Sequence, residues 1–467
     1  MSDKSMKLNF FNFKALRGKI LLTNDFGDFL FLEKDDFRSI IEGKVTDASD
    51  LGKKLIATRM AYSGTNLAFS GTQSFAMRQV KRHAATATSL HIFVVTTACN
   101  MNCVYCQANN GKMTPKDFMD YSTAEKAVDI ALQSPERNLT FEFQGGEPLL
   151  NFGVIRHIVN YAEENKKKHL LSYSIVSNLT MLTDEILQFL IDRDFGISTS
   201  IDGNQIIHDR NRPLKDGSGS FSILQSRLLR IRNKGMHVGA IQTTTRASLP
   251  YAKEIIETYT KLKFTSIFIR PLTPLGKASA AWEKIGYTPE EFLQFYRHAL
   301  DEIITINKKG VPLREEHASV FLRKMNGDSI NYMELRSPCG GGIGQLAYYA
   351  DGRIFTCDEG RMLAEMGNDA FCLGTTDENS YNDLMMNRRC RTVCAASILE
   401  SIPSCCDCVY QPYCGVCPVV NYELYDDIIE KEPGSYRCRI YSGMLDYLFE
   451  LFNTNDAETM EILNGWR

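Results

Sequence analysis

LHIFVVTTACNMNCVYC, residues 90–106, sets an unbroken apolar run directly before three closely spaced thiols, Cys99, Cys103 and Cys106. A short apolar run without alternation is what a strand buried on both faces requires. Similar runs recur downstream as NLTFEFQG, LSYSIVSN, GISTSIDG, HVGAIQTTT and TSIFIRPL, separated by helical patterns such as STAEKAVDIALQS and TDEILQFLIDRD. Six β–α repeats of this kind predict an α/β chain with a parallel sheet covered by helices. Six units instead of eight predict an open, partial (β/α)6 barrel of TIM type over residues 89–310. Such folds gather their chemistry at the C-terminal ends of the strands, where the cysteine loop stands.

The chain has 467 residues, 44% hydrophobic and 23% charged, ordinary values for a protein with a large core. Its net charge of −3 gives no electrostatic reason to expect a nucleic-acid partner. The start, MSDKSMKLNFF, lacks the apolar core and cleavage pattern of a secretory signal, and runs such as LHIFVV are too short to span a bilayer. A soluble cytoplasmic protein with no membrane partner is the expectation. In a reducing compartment its 14 cysteines argue for metal binding over disulfides. Three fall in residues 99–106 and the rest lie between Cys339 and Cys438, so two metal regions are expected.

A 4Fe–4S cluster normally takes four thiolates, so three on one loop leave an iron open to an outside group. Zinc would need a fourth His or Cys to close a tetrahedron, and none is adjacent in sequence. The CxxxCxxC spacing after the first of six β–α strands resembles the radical S-adenosylmethionine (SAM) superfamily. The resemblance implies that SAM chelates the open iron and that its reductive cleavage gives a 5′-deoxyadenosyl radical. Tyr105 then lies near the adenine. Gly145, Gly146 and Glu147 of GGEP match the segment that holds the SAM amino group. Ser177 and Asn178, then Ser200 and Asp202 of SIDG, match contacts to ribose and carboxylate, and Ile269 of IRPL lies near the adenine. HDRNRP, residues 208–213, fits the same pattern, although Asp209 and Arg212 could equally form an exposed ion pair.

The C-terminal thiols have two readings. Spacings such as Cys405-x-x-Cys408 and Cys414-x-x-Cys417 suit a zinc ribbon. Their full order resembles the SPASM domain of radical SAM maturases, which implies two auxiliary 4Fe–4S clusters within residues 311–467. The family pattern gives one cluster Cys405, Cys408, Cys414 and Cys438, and the other Cys339, Cys357 and Cys417. Only two residues separate Cys414 from Cys417, where three are usual, and a cysteine soon after Cys339 is missing. Cys372 or a substrate thiolate is left to fill the fourth position. Cys390, Cys394 and Cys406 read as buried, unreactive thiols.

Residues 1–62 alternate short strands (KILLTN, DFLFLE) with helical patterns, resembling a winged-helix module, and a polar linker follows over 63–88. Segments along nearly the whole chain, among them SIFIRPLTPLGKA and GIGQLAYYADGRIFTCDEG, resemble the His-Xaa-Ser-system maturases and related enzymes that cross-link peptides. That resemblance implies a ribosomally made precursor peptide as substrate, its leader added as a strand on the N-terminal module. It also implies an electron donor such as flavodoxin or ferredoxin, and a thioether or carbon–carbon product. Rival readings are a sulfatase-type maturase forming formylglycine and a zinc-stabilised binding scaffold.

Overall fold

A computed structural model describes residues 6–63, 71–108, 114–429 and 434–467. At the N-terminus, β1 (Lys7–Leu8) pairs with β5 (Ala61–Tyr62), and β2 (Asn12–Leu16), β3 (Lys19–Thr23) and β4 (Phe29–Leu32) form an antiparallel sheet. The β3–β4 turn is built by Asn24, whose Oδ1 accepts from the amides of Phe26 (3.0 Å) and Asp28 (3.2 Å). Gly27 completes it at φ +84°, so close to the next domain that a Cβ would lie 2.7 Å from the Lys324 carbonyl. Helices Lys34–Ile41 and Asp50–Ala57 close a small core around Leu22, Leu32, Ile40 and Leu55. Residues 64–70 of the expected linker lie outside the described residues, and Gly71–Val80 is a helix.

This module is fastened to the C-terminal region. Asn12 donates to the Cys408 carbonyl at 3.1 Å, Thr23 to the Val409 carbonyl at 2.7 Å, and Tyr413 to the Gly27 carbonyl at 2.9 Å. Phe29 packs edge-on against Phe449 and Phe452, with ring centroids 5.2 Å apart in both pairs.

The six expected strands form β6 (Leu90–Thr96), β7 (Asn138–Gly145), β8 (Leu170–Val176), β9 (Gly196–Ser200), β10 (Val238–Thr243) and β11 (Ser266–Arg270), all parallel and in sequence order. Helices cover one side and bury Phe93, Phe141 and Phe143 in the main core. The helix Pro289–Lys308 starts with a capping box between Thr288 and Glu291 and with proline in its first turn. It buries Phe292, Phe295, Tyr296, Ala299, Leu300, Ile303 and Ile304, the three-four spacing of one helical face.

The sheet is longer than six strands. β12 (Arg314–Glu315) pairs parallel with β11, and β13 (Gln345–Tyr348) pairs parallel with β6, placing Ala347 opposite Ile92. β14 (Arg353–Phe355) and β15 (Cys372–Thr375) continue it antiparallel to ten strands. An open parallel sheet has two unpaired edges, and the C-terminal region covers both. No helix among the described residues is long and apolar enough to cross a membrane.

Candidate active site

The C-terminal ends of β6–β11 surround one cavity of about 570 Å³. Side-chain alternation decides what faces it. On β7, Glu142 and Gln144 line the cavity while Phe141 and Phe143 face the helices. On β11, Phe268 and Arg270 line it, and Ile269 is turned into the core with 0% exposure. The expected adenine-side residue Ile269 therefore offers the cavity no side chain. Its amide donates to Glu315 at 3.2 Å.

Cys99, Cys103, Tyr105 and Cys106 all reach the cavity. Their loop is held from two sides. Asn102 and Val104 donate to the carbonyls of Pro213 (2.8 Å) and Asn211 (2.9 Å), so HDRNRP is the bracket of the cysteine loop. On the other side Gly145 and Gly146 press so close that a Cβ would lie 2.0 Å from the Thr96 carbonyl and 2.2 Å from the Ala98 carbonyl. Burial pushes the Cys99 thiol up to about 12 and Cys103 up to about 11. Each keeps its proton unless a metal replaces it.

Gly145, Gly146, Ser177, Asn178 and Ser200 line the cavity, whereas Glu147 and Asp202 lie beneath it. Glu147, expected to offer an acceptor for an ammonium group, has 0% exposure. Its carboxylate accepts from the amides of Leu149 (3.0 Å) and Asn178 (2.8 Å) and from the Ser177 hydroxyl (2.8 Å). Asp202 accepts from Tyr105 at 2.6 Å, Asn211 at 3.1 Å and Arg212 at 3.1 Å. Arg212 is therefore paired with Asp202, not with Asp209, and lies 5.1 Å over the Tyr105 ring. Asp209 instead accepts from the Phe221 amide at 2.8 Å. Of the two readings left open for Arg212, the exposed pair with Asp209 does not form and the side chain faces the cavity. Glu142, Gln144 and Arg270 were not singled out from sequence, and two-residue alternation within TFEFQG was the signal for Glu142 and Gln144.

The far wall of the cavity comes from the cysteine-rich region, through Asp358, Glu359 and Met362 of the helix Asp358–Ala364. Cys357 caps that helix, its Sγ accepting from the Gly360 amide at 3.3 Å, and Cys417 stands at the start of the helix Pro418–Tyr425. Cys339, Cys357 and Cys417 lie within electrostatic reach of one another, as do Cys408 and Cys414. Burial pushes Cys339 and Cys414 up to about 11. Cys405 is buried, and Cys438 begins its helix with its amide on Ser435 Oγ at 3.1 Å. Cys372 packs with Ile92, Val94 and Phe355, whereas Cys357 and Cys417 share the apolar cluster of Leu363, Phe371 and Val393. Cys372, one of the two candidates for the fourth position, thus packs in a different apolar cluster from Cys357 and Cys417. Cys390 is 1% exposed against Gly342; Cys394 and Cys406 are half-buried.

Buried cations test whether these thiols suit a negatively charged cluster. Arg336, 1% exposed, bonds the carbonyls of Pro338 and His83 and the Asn331 side chain, and acts electrostatically on Cys339. Lys324 bonds the carbonyls of Leu335 and Tyr413 and acts on Cys414; burial lowers it to about 7. Neither has a carboxylate at ion-pair distance among the described residues. An uncompensated buried charge such as that of Arg336 costs several kcal/mol, and thiolates on iron would supply the missing negative charge. The donor set fits iron–sulfur clusters. Among the described residues no three His, Cys, Asp or Glu side chains are gathered for a single metal ion.

The sequence model of the Radical SAM superfamily matches residues 93–249. The chain is 34% identical over 186 residues to an uncharacterized protein of Methanocaldococcus jannaschii, covering 40% of this chain and 63% of that one. It is 22% identical over 335 residues to a cysteine-type anaerobic sulfatase-maturating enzyme of Clostridium novyi, covering 70% and 86%. Among solved structures, native anSMEcpe with bound AdoMet superposes with a TM-score of 0.69 at 19% identity, covering 81% of this chain and 100% of that one. Streptococcus suis SuiB bound to its precursor peptide SuiA gives 0.54 at 12% identity, covering 91% and 99%.

Proposed function

Because the chain belongs to the radical SAM superfamily of enzymes, we propose that it is a SPASM-type maturase that installs a cross-link in a ribosomally made peptide. The observation that carries this reading is the shared cavity. Cys99, Cys103 and Cys106 form one wall, and Asp358, Glu359 and Met362, next to Cys357, form the other. A peptide segment entering between them would meet both thiol regions at once.

In this reading Cys99, Cys103 and Cys106 hold the SAM-binding 4Fe–4S cluster, and Gly145, Gly146, Ser177, Asn178 and Ser200 surround the SAM. When bound, the pair supplies hydrogen-atom abstraction. Tyr105, Asp202 and Arg212 keep the cysteine loop in place. Glu142, Gln144, Phe268 and Arg270 face the peptide and orient it, while the two domains keep water from the reacting carbon. Cys339, Cys357 and Cys417 hold one auxiliary cluster, and Cys405, Cys408, Cys414 and Cys438 the other. The sheet β2–β3–β4 takes the leader along an edge strand, and a flavodoxin or ferredoxin delivers electrons.

The rival is a sulfatase-type reaction, favoured by the 86% coverage of the Clostridium novyi enzyme. Full-length, anaerobically reconstituted protein should be given a candidate peptide with and without its leader, and the product weighed. A leader-dependent product lighter by two hydrogens supports a cross-link, thioether if the peptide cysteine no longer alkylates and carbon–carbon if it does. Loss of the thiol sulfur without any need for a leader supports formylglycine. No SAM cleavage overturns both.

A further inference from the structure

Arg437 lies in the first turn of the helix Tyr436–Thr454, one residue before Cys438, and its guanidinium is mostly buried but not satisfied. Nη2 donates to the Glu334 carbonyl at 3.0 Å, Nη1 lies 3.4 Å from the Glu334 carboxylate, and the group stacks 4.4 Å from the Tyr441 ring centre. Nε is buried with no hydrogen-bond partner among the described residues. An orphaned donor on a permanent cation is costly, so a compensating acceptor is expected beside it.

The same Glu334 carbonyl lies against Gly415, where a Cβ would stand 2.5 Å from it. Gly415 is in the segment between Cys414 and Cys417, the two thiols assigned to different clusters. The guanidinium thus sits beside the chain that joins them. Cys414, Cys417 and Cys339 all feel it as a positive charge. Lys324 acts on Cys414 and Arg336 on Cys339, whereas Arg437 acts on both thiol sets.

Resting on the auxiliary-cluster reading above, we propose that Arg437 is a positioning cation common to both auxiliary clusters, holding up the reduction potential of each. A fixed positive charge in a low-dielectric site favours the more negative, reduced state of a cluster. Glu334 tempers that charge, being shared between Arg437 and Arg270, whose Nη2 lies 2.6 Å away.

Full-length wild type, Arg437→Gln, Arg437→Lys and Glu334→Gln should each be reconstituted anaerobically, assayed for iron, and titrated with EPR detection. The expected result is about twelve irons per wild-type chain, three clusters of four. Arg437→Gln then lowers both auxiliary midpoint potentials, Arg437→Lys lowers them less, and Glu334→Gln raises them, with the cluster at Cys99 unmoved. If Arg437→Gln does not load, the opposed shifts of Arg437→Lys and Glu334→Gln carry the test. A shift at one auxiliary cluster only, or at neither, overturns the inference alone. About four irons in the wild type, one cluster's worth, overturns the auxiliary-cluster reading and this inference with it.

Discussion

Tyr105 donates its hydroxyl to Asp202 at 2.6 Å, tying the cysteine loop to the end of β9 across 97 positions of sequence. Asp202 also neutralises Arg212 and accepts from Asn211, so one fully buried carboxylate organises the floor of the site.

Asp202→Asn leaves the Arg212 charge buried without its partner. Breaking a buried pair costs about 3–5 kcal/mol, and the loop that carries Cys103 and Tyr105 should loosen first. Denaturant unfolding of the apo chain should show that loss, and iron retained at the Cys99 site should fall. Tyr105→Phe removes one hydrogen bond to a charged group and should cost about 1.5–3 kcal/mol, with iron retained.

Glu147→Gln separates a structural acceptor from a SAM ligand. The carboxylate uses both oxygens on three donors from 149, 177 and 178. An amide presents one oxygen and turns an NH2 toward a donor, costing about 1–3 kcal/mol. The expected outcome is a lower melting temperature with SAM affinity little changed once folded. A large loss of SAM affinity at unchanged stability would reverse the assignment.

Gly146→Ala should prevent cluster assembly, because its Cβ would stand 2.2 Å from the Ala98 carbonyl, next to Cys99. Iron content and SAM cleavage should both fall, and added SAM should rescue neither.

Glu315 gives a pH signature away from any thiol. Burial raises its carboxyl to about 7, against hydrogen bonds from Ala318, Tyr296 and Ile269. A raised carboxyl holds its proton more tightly folded than unfolded. Its stabilising contribution is therefore full below about pH 4.5 and is lost as pH rises through about 7. Glu315→Gln should flatten that part of the stability profile, by an amount on the order of 3 kcal/mol for a shift of this size. Unfolding curves of both proteins between pH 5 and pH 8, about the range in which this carboxyl titrates, check it.

Deleting residues 1–62 is a poor test of leader binding, because the same cut removes Asn12, Thr23 and Phe29 from Cys408, Val409 and Phe449. The truncated chain should expose Phe449 and Phe452, bind a hydrophobic dye and aggregate. A monomeric, stable truncation would show that these contacts contribute little.

Some features were legible because they are local. The apolar strands β6–β11 each draw their signal from neighbours within a few residues. The CxxxCxxC loop at a strand end is local too, and so is the separation of the thiols into two regions. For Ile269 the strand-end motif named a position without saying which of two faces its side chain takes.

What only the tertiary structure decided are relations between distant segments. β13 completes the edge of β6 from some 250 positions away, Arg212 chooses Asp202 over its near neighbour Asp209, and Cys372 packs with Ile92 and Phe355. The N-terminal module is similarly held against the segment around Cys408. The physical reason is common to all four. Periodicity and spacing record what a residue's own segment must bury, whereas the partner of an exposed edge, a buried charge or a thiol is set by which other segment the packed core brings beside it.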